Sequence, residues 1–133
     1  IKDCGGNMFR ALFAAFVLMT ASLSGPAPAA AQSVTMTWKF KAFHKNIVDI
    51  QFYSQNRRNT WPGGNKVWSV KNYETQNIRI SCISGERICY GAWVRGTGSS
   101  YWGVGQSQKY SCTGCCYTCQ ANTSTPVINL NAR

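Results

Sequence analysis

Four side chains supply the histidine and carboxylate groups of the chain after residue 31, and they limit its acid–base chemistry. They are His44, Asp49, Glu74 and Glu86. General acid–base catalysis needs such groups within hydrogen-bond reach of each other and of a substrate. His44 and Asp49 could approach across a turn, but no Gly-x-Ser-x-Gly elbow or other pattern places a nucleophile beside His44. A small hydrolase using these two residues is kept only as an alternative, and no catalytic residue is assigned.

Six cysteines follow residue 31, and their spacing allows either disulfides or a metal site. They are Cys82, Cys89, Cys112, Cys115, Cys116 and Cys119. Two C-x-x-C pairs are typical of zinc ligands or of a redox motif, but here the pairs abut, whereas structural zinc sites hold them apart. Export would also favour oxidation of the thiols. We therefore predict disulfides, with no metal and no cofactor.

The pairing of these cysteines stays open in the sequence. Cys82 and Cys89 flank residues 83–88, and a four-residue loop there would place the two cysteines directly across a hairpin. Bonds from either of them to the later cluster at 112–119 are the alternative. A bond between the neighbours Cys115 and Cys116 would be strained, so each is expected to bond a different partner.

Two loops combine tryptophan with polar or basic groups. Trp61 lies in a Trp-Pro-Gly-Gly-Asn turn that follows Arg57 and Arg58, and Trp102 lies in a stretch rich in serine and glycine. A rigid turn that presents tryptophan beside polar groups could stack on a sugar, and arginine could bind an anion. The alternative is that both rings fold back over the ends of the sheets. These four side chains are the possible binding residues.

Residues 8–31 have the composition of a secretory signal peptide. Arg10 supplies a basic start, and residues 11–23 form a mostly apolar run that ends before Pro26. This run is shorter than the about 20 residues that a membrane-spanning helix needs. The expectation is a periplasmic or secreted bacterial protein that is not an integral membrane protein.

Three segments follow from this interpretation. Small residues precede the cleavage expected after Ala31. Residues 1–7, which come before the first methionine, are interpreted as an upstream extension or a cloning scar. Residues 32–133 are expected to form a single domain.

The chain is strongly basic, with a formal net charge of +10. Removal of residues 1–31 takes away Lys2, Asp3 and Arg10 and leaves +9. Such a surplus favours anionic partners without choosing among them. In an exported chain these are an envelope polymer, a lipid or an acidic protein surface rather than nucleic acid. A solvated basic surface with no dedicated partner is the alternative.

Hydrophobic periodicity predicts an all-β domain. Residues 34–41 alternate apolar and polar side chains with a period of two, and turn residues separate further short runs of this kind. No long amphipathic helix is indicated. The pattern is typical of a small antiparallel β-sandwich or barrel, here with a disulfide-rich C-terminal knuckle and a preceding signal peptide. The predicted strands are residues 34–41, 47–53, 66–70, 77–82, 88–95, 101–104 and 126–130.

Several short motifs together resemble a known group. They are Phe-Tyr-Ser-Gln at 52–55, Trp-Pro-Gly-Gly at 61–64, Cys-Tyr-Gly-Ala-Trp-Val at 89–94, Tyr-Trp-Gly-Val-Gly at 101–105, and the cysteine knuckle at 112–119. With them the chain resembles a small exported domain of alphaproteobacteria that occurs alone or appended to larger secreted proteins, including caspase-like peptidases. That group has no assigned activity, so no functional residue is carried over. A domain used as an appendage implies binding or targeting rather than catalysis.

The sequence thus favours an exported, non-catalytic binding or accessory module for an anionic envelope or protein partner. A neutral carbohydrate-binding module that uses Trp61 and Trp102 is one alternative. The hydrolase using His44 and Asp49 is the other.

Overall fold

The described part of the chain forms β-strands joined by turns and loops, with no α-helix. The computed structural model describes residues 24–26 and 31–132, and within them the all-β prediction is confirmed. The predicted leader at 8–31 lies outside the described residues except at 24–26 and 31, and the segment 1–7 lies wholly outside them. The described elements are β1 (Ser33–Ala42), β2 (Val48–Ser54), β3 (Thr60–Trp61), β4 (Trp68–Val70), β5 (Thr75–Ile83), β6 (Arg87–Val94), β7 (Tyr101–Gly103), a 3-10 turn (Gln106–Gln108), β8 (Cys116–Thr118) and β9 (Ser124–Leu130).

The strands form two sheets, as expected for a sandwich-like fold. The three-stranded sheet has the order β5-β1-β9. The six-stranded sheet has the order β3-β2-β6-β7, with β4 also pairing with β2 and β8 also pairing with β6. All pairs are antiparallel except β1 with β9, which is parallel. The sequence pattern did not predict this parallel pair, because periodicity carries no information about strand direction.

The core lies between the inward faces of β1 and β2. On β1 the alternate residues Met36, Trp38, Phe40 and Ala42 are buried, as the period of two predicts. The Trp38 ring lies 4.7 Å from that of Phe52 between ring centroids. Burial of each such large apolar side chain stabilises the fold by about 1.5–3 kcal/mol.

Two short strands lie where the sequence indicated loops. Strand β3 lies between the predicted strands 47–53 and 66–70, where no strand was expected, and pairs with Phe52 and Tyr53. Strand β8 lies inside the cysteine knuckle and pairs with the start of β6. An alternating pattern of apolar and polar residues cannot be recognised over only two or three residues, so the sequence did not indicate these strands.

Three disulfides join the six described cysteines. They are Cys82–Cys119, Cys89–Cys116 and Cys112–Cys115. The disulfide prediction is confirmed, and Cys115 and Cys116 do bond different partners.

The hairpin pairing of Cys82 with Cys89 is wrong. Strand β5 belongs to the three-stranded sheet and β6 to the six-stranded sheet, so the turn between them crosses from one sheet to the other. In β5, Cys82 therefore lies opposite Val34 of β1. Both cysteines instead bond to the cluster at 112–119.

A peptide map without reduction should therefore recover three linked pairs. Three bonds should lower the intact mass by about 6 Da relative to the reduced chain, because each bond releases two hydrogens. Mass spectrometry of the digest should show a peptide containing Cys82 joined to one containing Cys119. A peptide in which Cys82 is joined to Cys89 would contradict the arrangement of the two sheets.

Gly91 lets the segment after β7 lie directly on β6. A Cβ atom at this position would overlap the carbonyl oxygen of Gly105. The close approach holds the 3-10 turn over the outer face of β2, where the Ser107 N–H donates to the Tyr53 hydroxyl at 2.9 Å. A glycine in β6 thus fixes a loop on the outer side of the six-stranded sheet.

Candidate functional site

Arg57 is exposed, but its guanidinium is held by the buried carboxylate of Glu86. Its Nε donates to Glu86 Oε2 at 2.6 Å and its Nη2 to Oε1 at 3.2 Å. The Ser54 hydroxyl and the Ile83 N–H also donate to this carboxylate, at 2.5 and 3.0 Å. Because Glu86 lies in the turn that crosses between the sheets, the network ties the β2–β3 loop to that turn.

The surroundings of Glu86 favour its ionised form. Burial by itself would raise the pKa of this carboxyl group. Hydrogen bonds from Arg57, Ser54 and the Ile83 N–H, together with the positive charge of Arg57, outweigh burial and lower the pKa from its ordinary value of 4.5. Glu86 is therefore a carboxylate held in its ionised form by hydrogen-bond donors and by Arg57.

His44 and Asp49 are not brought together as a catalytic pair. Within the described residues, Asp49 accepts hydrogen bonds from Ser69 at 3.0 Å and from Arg95 at 2.8 and 3.1 Å. His44 lies in the turn after β1, where its Nδ1 accepts from the Asn46 N–H at 3.0 Å, and its ring packs against Trp102. His44 and Asp49 thus have separate hydrogen-bond partners, and the geometry gives no support to the hydrolase alternative.

The two tryptophans that were expected in loops lie instead in the short strands β3 and β7. Both are buried, with exposed fractions of 8% for Trp61 and 4% for Trp102. Trp61 Nε1 donates to the Ser81 carbonyl at 2.7 Å, and the Arg57 guanidinium lies 5.6 Å from the ring centroid. Trp102 Nε1 donates to the Asn131 carbonyl at 2.9 Å. Both rings fold back over the sheets, so little of either face is left for a sugar to stack on.

The positive charge of the described residues is largely unpaired. Two ion pairs are found there, Arg57 with Glu86 and Arg95 with Asp49. The remaining carboxylate, Glu74, is exposed just before β5. The predicted binding residue Arg58 is exposed and forms no ion pair in the described part of the chain. The other unpaired cations are Lys39, Lys41, Lys45, Lys66, Lys71, Arg79, Arg87 and Lys109.

Three of these cations share the outward face of the three-stranded sheet, which we call the basic face. Lys39 and Lys41 occupy alternate positions of β1, so they point to the same side, about 7 Å apart along the strand. Arg79 of β5 lies opposite Thr37 and is the diagonal neighbour of Lys39, at about 7–8 Å. The inward neighbours Trp38, Phe40 and Ile78 are buried, which fixes the side to which the cations point.

Polar side chains and an apolar residue separate the cations of the basic face. Thr35, Thr37, Asn77 and Ser81 take the other outward positions near them on β1 and β5. On β9, Val127 lies beside Lys39 with 43% of its surface exposed. The outward positions of β1 and β5 carry no aromatic ring. The half-buried Phe43, just after β1, has its ring centroid 5.1 Å from the Lys41 ammonium. This face can therefore offer charge and hydrogen bonds to an anion, with an aromatic ring at its edge beside Lys41.

The sequence contained a signal for this face that the choice of binding residues missed. Lys39 and Lys41 fall at the polar positions of the clearest period-two run, so that pattern already places both on one outward face. That Arg79 belongs to the same face follows only from the register of β5 against β1, which the sequence does not give.

The described residues also bear on metal binding and on membrane-spanning helices. No group of three or more His, Cys, Asp or Glu side chains there could hold a metal ion. None of the helical structure at 24–26 or 31–132 is long and apolar enough to cross a membrane.

No protein-family model, curated protein or solved structure matches this chain.

Proposed function

We propose that this chain is an exported, non-catalytic module that binds an anionic partner through the basic face. The observation that carries the proposal is the grouping of Lys39, Lys41 and Arg79 on one sheet face with no carboxylate among them. Cations left unpaired at such spacing repel one another, and an anionic partner relieves that repulsion. The resemblance to an exported domain that serves as an appendage also supports binding rather than catalysis.

The shape and chemistry of the basic face favour an extended anionic surface. Outward side chains of neighbouring strands present the charge across an open sheet face, which suits an envelope polymer, a lipid headgroup layer or an acidic protein surface. Binding of single-stranded nucleic acid usually adds a series of exposed aromatic stacking platforms. The outward positions of β1 and β5 have none, and the Phe43 ring beside Lys41 is half-buried. Three disulfides are typical of proteins from oxidising compartments, which supports a periplasmic or secreted location.

Binding should be lost when the charges of the basic face are removed. We expect the triple variant Lys39→Gln, Lys41→Gln, Arg79→Gln to bind vesicles containing phosphatidylglycerol about 100-fold more weakly, since each cation near an anionic surface contributes about 1 kcal/mol. Wild-type binding should also fall steeply as the Debye length shortens from about 30 Å to about 8 Å with added salt. Co-sedimentation at low and high salt measures both effects, with isolated cell wall and an acidic protein as parallel probes.

A matched control removes the same charges from the other sheet. Lys66→Gln, Arg87→Gln, Lys109→Gln together change two lysines and one arginine that are exposed on segments of the six-stranded sheet. This variant should lose no more than a few-fold in affinity. Equal loss in the two triple variants would show that diffuse charge, and not the basic face, drives binding. Failure of the wild type to bind any probe at low salt would defeat the proposal.

A further inference from the structure

A concave site lies on the outer side of the six-stranded sheet, away from the basic face. It is a cavity of about 330 Å³ between the turn at 63–65 and the 3-10 turn. This volume is at the lower end of the range for ligand pockets, about 300–1,000 Å³, and suits one small molecule. The lining side chains are amides and hydroxyls, and the remaining lining is glycine backbone: Gln51, Tyr53, Thr60, Asn65, Ser107 and Gln108 with Gly63 and Gly64.

Part of this lining is held in place by internal hydrogen bonds. The Tyr53 hydroxyl donates to Gln51 Oε1 at 2.9 Å and accepts from the Ser107 N–H at 2.9 Å. Gln51 Nε2 donates to the Lys66 carbonyl at 2.8 Å. Burial raises the pKa of Tyr53, outweighing the opposing effect of the Ser107 hydrogen bond, so the phenol keeps its proton. The floor of the cavity is therefore ordered before any ligand enters.

Other lining groups have unused hydrogen-bonding capacity. The side chains of Thr60, Asn65 and Ser107 make no hydrogen bond within the described residues, and Gln108 uses its carbonyl oxygen on Gln55 but not its NH2 group. Asn65, Ser107 and Gln108 have φ values of 59°, 58° and 54°. Non-glycine residues in this left-handed region are uncommon and concentrate at functional sites. Both rims of the cavity thus present free donors and acceptors.

We infer that this cavity binds a neutral polyhydroxylated ligand, a single sugar residue. Amides and hydroxyls both donate and accept, which complements the adjacent hydroxyl groups of a sugar ring. No charged side chain lines the cavity, so nothing there favours an anion, and no carboxylate is present to hold a cation. This inference does not rest on the anionic-partner proposal, and it uses neither Trp61 nor Trp102.

NMR titration with glucose, galactose, mannose and N-acetylglucosamine tests the inference. High salt is used throughout, because it suppresses binding to the basic face but leaves hydrogen bonding to a neutral ligand. We expect at least one sugar to shift the backbone amide signals of Thr60, Asn65, Ser107 and Gln108. Absence of shifts with all four sugars would overturn the inference, as would shifts at these amides with inorganic phosphate alone.

A double variant separates the cavity from the fold. In Thr60→Val the new side chain has the same shape as the old one but lacks the hydroxyl. In Asn65→Gly the glycine readily adopts the positive φ of position 65, so neither change should disturb the backbone. Because both free side chains are removed, sugar binding should weaken about 10-fold or more with an unchanged Tm. The control Asn122→Gly removes another exposed amide with φ of 57°, in the turn before β9. Wild-type affinity in the double variant, or equal loss in the control, would overturn the assignment.

Discussion

Replacement of both Cys82 and Cys119 by alanine should lower the free energy of unfolding by about 4 kcal/mol. The bond joins positions 37 residues apart, and the entropy that a disulfide removes from the unfolded chain grows with the length of the closed loop. Both sulfur atoms are also buried, so the variant leaves unfilled space in the core. Urea unfolding followed by tryptophan fluorescence measures the change. A small domain has a total stability of about 5–15 kcal/mol, so this loss would be large.

The Cys112–Cys115 bond supplies the matched comparison. It closes a loop across only three positions, for which the same relation gives about 2 kcal/mol. We therefore expect Cys112→Ala with Cys115→Ala to destabilise the protein about half as much as the loss of Cys82–Cys119. Equal losses in the two double variants would be inconsistent with the pairing of the six cysteines.

Replacement of Glu86 by alanine should cost about 3 kcal/mol of stability. The change removes the acceptor for the Ser54 hydroxyl and the Ile83 N–H, and it leaves Arg57 without its counter-ion. Buried donors that lose their acceptor cost about 1–3 kcal/mol each, whereas the half-exposed Arg57 can recover water. Glu74→Ala is the control: the same change at an exposed site should alter stability by no more than about 0.5 kcal/mol. Equal effects at the two positions would contradict the role of the network.

Acid should weaken the fold partly through Glu86. Its pKa is lower in the folded protein than in the unfolded chain, so the ionised group stabilises the fold above a pH of about 4.5. That stabilisation is lost as the pH falls through the lowered pKa of the folded state. Between these two values, the free energy of unfolding should decrease more steeply with acid in the wild type than in Glu86→Gln. Urea unfolding at a series of pH values compares the slopes, and parallel curves would rule out this contribution.

Local properties of the chain were sufficient to predict its fold class and its cysteine chemistry. The alternation at 34–41 predicted β1 and assigned Trp38 and Phe40 to the buried side, because successive side chains of a strand point to opposite faces. An even number of cysteines after residue 31 indicated disulfides. The position of Lys39 and Lys41 on one outward face follows from the same alternation. Each of these inferences depends on spacing along the chain alone.

Only the tertiary structure decided which distant groups meet. Cys82 and Cys89 are close in sequence, but the turn between them crosses between the sheets and sends each to a partner in the knuckle. Arg57 was expected to be available for binding, yet it is bonded to Glu86, 29 residues further along the chain.

The polar cavity also depends on the tertiary structure, because the turns that form its rims are separated by about forty residues of sequence. Strand order, register and the crossing between sheets bring such groups together, and they are set by packing across the whole core rather than by local periodicity. The residue types available for binding could therefore be predicted from the sequence, whereas the partners and surroundings of those residues could not.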